Sequence, residues 1–337
     1  MAEQTVQERS QSPQEAVAQL QDLLAENPLQ ADDDLDENDS AFDDSESAAS
    51  EMTSLNSSVL NYKYEPNDDE EQERMDLGHH IYRLVLGGKL NLAPISKNPQ
   101  RVLDLGTGTG IWAIDFADEY PSAEVLGTDL SPIQPKWTPP NCSFEVDDFE
   151  SEWVYHTPFD FIHARELGGC ISDDNRLFKQ AFQHLAPGGY FEIQAVHPDF
   201  VSDDDTADKA TNAQLWMKNM REGAARFGKP LDSALLWQEK LKSAGFVDVQ
   251  QSVLKVRNSQ IIWLEDAKLK EIGKFQSIQE KHVIDSYTPG IFGRVLGWSE
   301  EEIQVFVAKV KSDLKNPSIH LYTPVYFIWG RKPLSNE

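Results

Sequence analysis

A short turn, Asp104-Leu105-Gly106-Thr107-Gly108-Thr109-Gly110, carries the most chemistry in this sequence. It follows an apolar run, 101–105, that reads as a strand, and precedes a helical pattern that continues through Tyr120 and stops at Pro121. Glycines at a strand-to-helix turn let the backbone approach a ligand closely and supply dihedrals that side chains forbid. A second strand, 124–128, ends at Asp129, 19 residues beyond Gly110, where a carboxylate can accept two hydrogen bonds from a ribose diol. The alternative is that Asp129 caps the next turn through Ser131. The constellation points to an adenosine-type ligand.

Spacing narrows the ligand. A dinucleotide fingerprint counted from Gly106 requires glycine at 111, and the residue there is Ile111. No Lys-Ser or Lys-Thr follows the glycines, so a phosphate-cradling loop is not read either. Asp104 would repel a pyrophosphate but can hold an ammonium. S-adenosylmethionine carries an amino acid and a sulfonium and no phosphate, and these residues fit it better than NAD. No metal is expected: His79 and His80 are adjacent, which does not place both on one helical face.

Beyond the turn, the run VLDLGTGTGIWAIDFADEYPSAEVLGTDLSPIQPKWTPPNCSFEVDDFESEW (102–153), FDFIHAREL (159–167), LAPGGYFEIQ (185–194) and GWSEEE (297–302) is similar to the fungal LaeA-like methyltransferases, which belong to the class I S-adenosylmethionine-dependent enzymes. SLNSSVLNY and PNDDEEQERMDLGHH upstream also fit, so the resemblance spans roughly 54–333. It implies a fungal protein tied to secondary metabolism. It places Asp104, Gly106, Thr107, Gly108 and Gly110 in the cofactor turn, the first four at the methionine end, and Asp129 at the ribose. Leu130 is then expected against the adenine, with Asp147 and Asp148 reading its edge and Phe149 covering its face; the competing reading of the two acids is a solvated turn. His163 and Arg165 end the fourth strand, where the transferred methyl should point, and are the expected catalytic pair. Without the resemblance His163 reads rather as a satisfied core histidine; with it, His163 is the best-placed base, and Glu192, Gln194 and His197 are available at the end of the fifth strand. Family members usually carry E-N-G-R-x-Y-H before the P-N-D segment. Here Tyr64-Glu65 runs straight into Pro66-Asn67-Asp68, through a deletion or a gene-model error, which leaves the N-terminal wall of the cofactor site open as a question.

The elements that must position these residues alternate. Strands are expected at 101–105, 124–128, 142–146, 159–163, 189–196, 247–257 and 324–331, with helices at 71–90, 175–185 and 235–244. That order makes an α/β fold, a Rossmann-like doubly wound sheet of the class I methyltransferase type, with an antiparallel last strand returning at the sheet edge. Ser299 and Glu302 form a capping box ahead of Ile303, Phe306, Val307, Val310 and Leu314. A helical insertion at about 198–234, with Trp216, Met217, Met220 and Phe227, should sit over the strand ends and roof the substrate pocket, although these aromatics could equally be ordinary core.

Charge divides the chain. The formal charge of −27 over 337 residues is −19 in residues 1–76 and −8 in the remainder. Residues 1–53 read as a disordered acidic tail, 54–100 as a helical lead-in and 101–333 as the cofactor-binding domain. Val17, Leu20 and Leu24 allow a short helix in that tail, and Ser40, Ser45 and Ser47 among acids allow a phosphorylatable interaction segment. A body without a basic patch argues against direct nucleic-acid binding, and no apolar run approaches a membrane span. Two cysteines without metal spacing and no apolar leader suggest a reducing compartment. Two functions stay open. One is a cytoplasmic tailoring enzyme methylating a small molecule; the other is a LaeA-like regulator acting in the nucleus through a protein complex, though no Lys/Arg cluster suggests an import signal. A pseudo-enzyme is a third reading.

Overall fold

The structure, a computed structural model, describes residues 69–257, 267–335 and 337. The expectations for the acidic tail and the serine-rich approach lie outside these residues.

Five strands run parallel: β1 (Arg101–Leu105), β2 (Glu124–Asp129), β3 (Cys142–Val146), β4 (Phe159–Arg165) and β5 (Leu185–Val196). Parallel neighbours require crossovers, and these put helices on both faces. Between β1 and β2, α2 (Ile111–Glu119) buries Trp112, Ala113, Phe116 and Ala117 against one face. Between β4 and β5, α3 (Asp174–His184) buries Leu177, Phe178 and Ala181, and α5 (Ala234–Ser243) adds Trp237 and Leu241 to the same cluster. Strands covered on both sides read as continuous apolar runs, which is why Val102, Leu103 and Leu105 follow one another without alternation.

The sheet order is β3-β2-β1-β4-β5-β7-β6. The last strand, β7 (Tyr322–Arg331), is antiparallel as expected, but it is not at the edge. It inserts between β5 and β6 (Val247–Arg257), antiparallel to both. Burial explains the order: Val325, Tyr326, Phe327 and Ile328 are all buried, whereas β6 is mostly half-buried with exposed Asp248 and Gln250 and forms the rim. β5 begins at Leu185, four residues before the expected start, because Phe159 pairs with Leu185 across a bulge.

Two further helices and the lead-in stand around the carboxyl ends of the strands. α1 (Asp69–Val85) precedes the sheet, α4 (Thr211–Arg226) is the main helix of the expected insertion, and α6 (Ala267–Thr288) continues into a π-helical turn, Pro289–Val295. No expectation covered α6. Its first half packs Leu269, Ile272 and Phe275 with α1, β6 and β7, while its second half packs Val283, Ile284 and Tyr287 into the other cluster, so no single apolar stripe runs its length. α7 (Glu300–Lys315) begins at the predicted capping box: Ser299 N donates to Glu302 Oε2 at 2.9 Å and Glu302 N to Ser299 Oγ at 3.2 Å.

Candidate active site

A cavity of about 330 Å³ opens where β1, β2, β4 and β5 end. The glycine turn forms one end of it. Gly106 has φ +62°, and a Cβ there would stand 2.4 Å from Leu167 Cδ2, so the turn lies hard against the exit of β4. Gly110, expected at the ligand, does not line the cavity; a Cβ on it would meet Phe144 Cζ at 2.4 Å, and its glycine serves packing onto β3.

Asp104, Gly106, Thr107, Gly108, Asp129, Leu130 and Phe149 do line that end. Asp104 accepts from Thr107 Oγ1 at 2.6 Å on Oδ2 and stands 2.7 Å from His163 Nδ1 on Oδ1. Asp129 accepts from Gly108 N at 2.8 Å on Oδ2 and from Ser131 N at 3.0 Å on Oδ1. It therefore both faces the cavity and pins the two turns that frame it. Burial raises its pKa, and the backbone N–H donors work against that rise.

Asp147 and Asp148 are not brought to the cavity wall. Asp148 accepts from Glu150 N at 2.9 Å and Ser151 Oγ at 3.1 Å, and Asp147 accepts from Asp148 N at 2.9 Å and from the Tyr155 hydroxyl at 3.4 Å. Their half-buried carboxylates close the turn after β3, and Phe149 reaches the cavity wall.

His163 borders the cavity but is 0% exposed. Its ring stacks on Trp112 with centroids 3.7 Å apart and planes 3° from parallel, and Nδ1 is held by Asp104. Burial lowers its pKa against the pull of that carboxylate. Nε2 and the neighbouring Gln194 Oε1 are buried without a hydrogen-bond partner among the described residues. A base must reach the proton it removes. This imidazole reaches Asp104 instead, in register with it across β1 and β4.

Arg165 lines the cavity and ties β4 to α1. Its Nη2 donates to His79 Nδ1 at 2.9 Å, His79 Nε2 bonds Asp115 Oδ2 at 3.0 Å, and the guanidinium sits 5.0 Å from the centre of the Tyr82 ring. Burial lowers the pKa of both Arg165 and His79. Glu192 is buried at the middle of β5, where it accepts from Leu92 N and Ala93 N, and burial lifts its pKa to about 7. It orders the approach to β1 and is not on the cavity wall.

The other end of the cavity is broad and largely apolar. Phe200, Trp216, Met217 and Met220 come from the insertion, Leu167 from the exit of β4, and Val283, Ile284 and Tyr287 from α6. Tyr82 and Glu166 also stand there and were missed; Glu166 follows Arg165 directly, and only its backbone geometry, described below, sets it apart.

The residues at the glycine end fit S-adenosylmethionine. Two carboxylates face it, and the arginines lining the cavity among the described residues, Arg74 and Arg165, are turned to Glu71 and His79 rather than to a phosphate. Asp129 and Leu130 would hold the nucleoside and Asp104 the amino-acid end.

The chain matches the methyltransferase-domain family over residues 77–251. It is 35% identical over 300 residues to the methyltransferase pytC of Aspergillus terreus, covering 84% of this chain and 92% of that protein. A protein of Emericella nidulans named as a probable methyltransferase, tdiE, is 32% identical over 265 residues, 79% of this chain and 83% of its own length. The secondary metabolism regulator LAE1 of Cochliobolus heterostrophus is 33% identical over 279 residues, 81% of this chain and 90% of its own. With the sheet order and the carboxylate-flanked glycine turn, these matches show that the chain belongs to the LaeA-like fungal family of S-adenosylmethionine-dependent methyltransferases.

Proposed function

We propose that the protein is a tailoring enzyme that methylates a small, largely apolar molecule of fungal secondary metabolism. One observation carries the reading: the cofactor end and the apolar end are a single cavity, with Leu167 touching Gly106 where the two meet. Bound S-adenosylmethionine supplies an electrophilic methyl carbon on a sulfonium. The task of the chain is to align a nucleophile behind that carbon and exclude water, and helices α1, α4 and α6 are placed to do both. Membership of a fold family does not by itself choose an acceptor; the shape and chemistry of the apolar end do.

The test is transfer of a labelled methyl group from S-adenosylmethionine into the organic extract of a fungal culture by the full chain, with S-adenosylhomocysteine affinity measured in parallel by calorimetry. Label in organic-soluble product is the expected outcome. The likeness to LAE1 favours a second reading, a regulator acting through a protein complex. In that case the label would enter protein or nothing while S-adenosylhomocysteine still bound. The cytoplasm is the compartment of the first reading and the nucleus of the second.

A further inference from the structure

Glu166 is the residue at the end of β4 that the fold holds most deliberately. Its backbone adopts φ +55°, a left-handed conformation that is unfavourable for a residue with a side chain and is kept where the surroundings fix it. Two groups fix it here. The Tyr82 hydroxyl and the Val196 amide, the latter at 2.9 Å, both donate to Oε1, and Glu166 N donates to Gln194 O at 2.9 Å. Oε2 has no partner among the described residues. The residue is exposed, and it lines the cavity. Its chain neighbour Leu167 packs against Gly106 of the cofactor turn, so Glu166 leaves β4 where the glycine turn and the cavity meet.

We propose that Glu166 is a catalytic base, with Oε2 taking the proton of a hydroxyl on an apolar ring-sized acceptor, and that Tyr82 and the Val196 amide are its positioning groups. The proposal rests on the methyltransferase reading above. The apolar compartment of Leu167, Met217, Met220, Trp216 and Ile284 takes the ring, and Glu166 is the accessible carboxylate on the strand exit beside it. The balance is complete: the acceptor oxygen forms the bond to the methyl carbon, the carbon–sulfur pair stays on sulfur, and the hydroxyl proton goes to Oε2. The two donors on Oε1 fix the carboxylate's orientation and leave Oε2 free to take the proton. The charged or titratable groups facing it are Tyr82 and Arg74 from α1, Arg165 from β4 and Tyr287 from α6.

The test compares the full chain with E166Q on a series of phenols from unsubstituted phenol, with a pKa of about 10, down to 4-nitrophenol. The wild type should show a nearly flat rate across the series. E166Q should lose roughly 10²- to 10⁴-fold on the weakest acids and recover most of it on 4-nitrophenol, with S-adenosylhomocysteine affinity unchanged. A second readout needs no turnover. With S-adenosylhomocysteine bound, calorimetry in two buffers of different ionisation heat should show uptake of close to one proton when 4-nitrophenolate binds the wild type, and none for E166Q, because two facing anions share a proton. A loss in E166Q that is equal for all phenols, or identical proton uptake by both proteins, overturns the base assignment. Failure of every phenol to bind, with S-adenosylhomocysteine bound, overturns the acceptor class. Failure of S-adenosylhomocysteine itself to bind overturns the methyltransferase reading beneath it.

Discussion

His163 Nδ1 and Asp104 Oδ1 stand 2.7 Å apart across a register pair of β1 and β4, with the imidazole fully buried beneath the cofactor turn. The pair explains how a carboxylate is kept at one angle on the cavity wall: Thr107 holds its other oxygen. His163→Gln should therefore lower the melting temperature and weaken S-adenosylhomocysteine about tenfold, since a buried charged hydrogen bond is worth ~1.5–3 kcal/mol. The dependence of rate on phenol pKa should stay as in the wild type. Unchanged stability and cofactor affinity with turnover lost would return His163 to the role of base.

Asp129 joins two turns through their amides, and Gln134 Nε2 joins them through their carbonyls, donating to Gly108 O at 2.7 Å and Ser131 O at 2.8 Å. Asp129→Ala should weaken S-adenosylhomocysteine and also lower the melting temperature of the free protein, because Gly108 N and Ser131 N both lose their acceptor, each worth ~0.5–1.5 kcal/mol or more for a charged partner. Calorimetry and thermal denaturation on the same samples check it. A fall in affinity with no change in melting temperature would mean that the turns hold their shape without this carboxylate.

At Gly106, conformation and packing both oppose a side chain. Gly106→Ala should destabilise the protein by ~2–4 kcal/mol, from the left-handed φ and from the clash with Leu167. Adding Leu167→Ala should recover the clash and not the φ penalty, so the double variant should bind S-adenosylhomocysteine better than Gly106→Ala and remain less stable than the wild type. Denaturant titration of Gly106→Ala, Leu167→Ala and the double variant decides; purely additive losses would place the whole cost of Gly106→Ala in the backbone.

His197 gives the stability a sign with pH. It is 3% exposed, its Nδ1 has no partner among the described residues, it meets Tyr326 edge to face, and burial brings its pKa down to about 4 with Arg221 contributing. The unfolded chain binds a proton near pH 6.5 and the folded chain does not until about pH 4, so this residue costs stability as the pH falls through that window. The loss should be about 2 kcal/mol between about pH 7 and pH 5. His197→Phe keeps the ring against Tyr326 and should flatten that part of the curve. An unchanged slope would mean that His197 is hydrated in solution.

The cofactor turn was legible in the sequence because its requirements are local. A strand must end, a backbone must take positive φ at Gly106 and Gly108, and an acid must follow the next strand at Asp129; residue types and spacing state all three. The capping box at Ser299 was legible for the same reason, as its two hydrogen bonds span three residues. Other features depended on neighbours far along the chain. The place of β7 was set by what covers it: its unbroken run of apolar residues demands burial on both faces, while β6 tolerates a rim. Asp147 and Asp148 were carboxylates of the right type after the right strand, yet their oxygens are taken up by amides and hydroxyls of their own turn. His163 and Glu166, three residues apart on one strand exit, could each have been the base. Trp112 and Asp104 enclose the first, whereas Tyr82 and Val196 hold the second at one oxygen and leave it open to the cavity. Sequence spacing determined which groups are present at the end of β4. Burial, which depends on helices more than 50 residues upstream, decided which of them a ligand can reach.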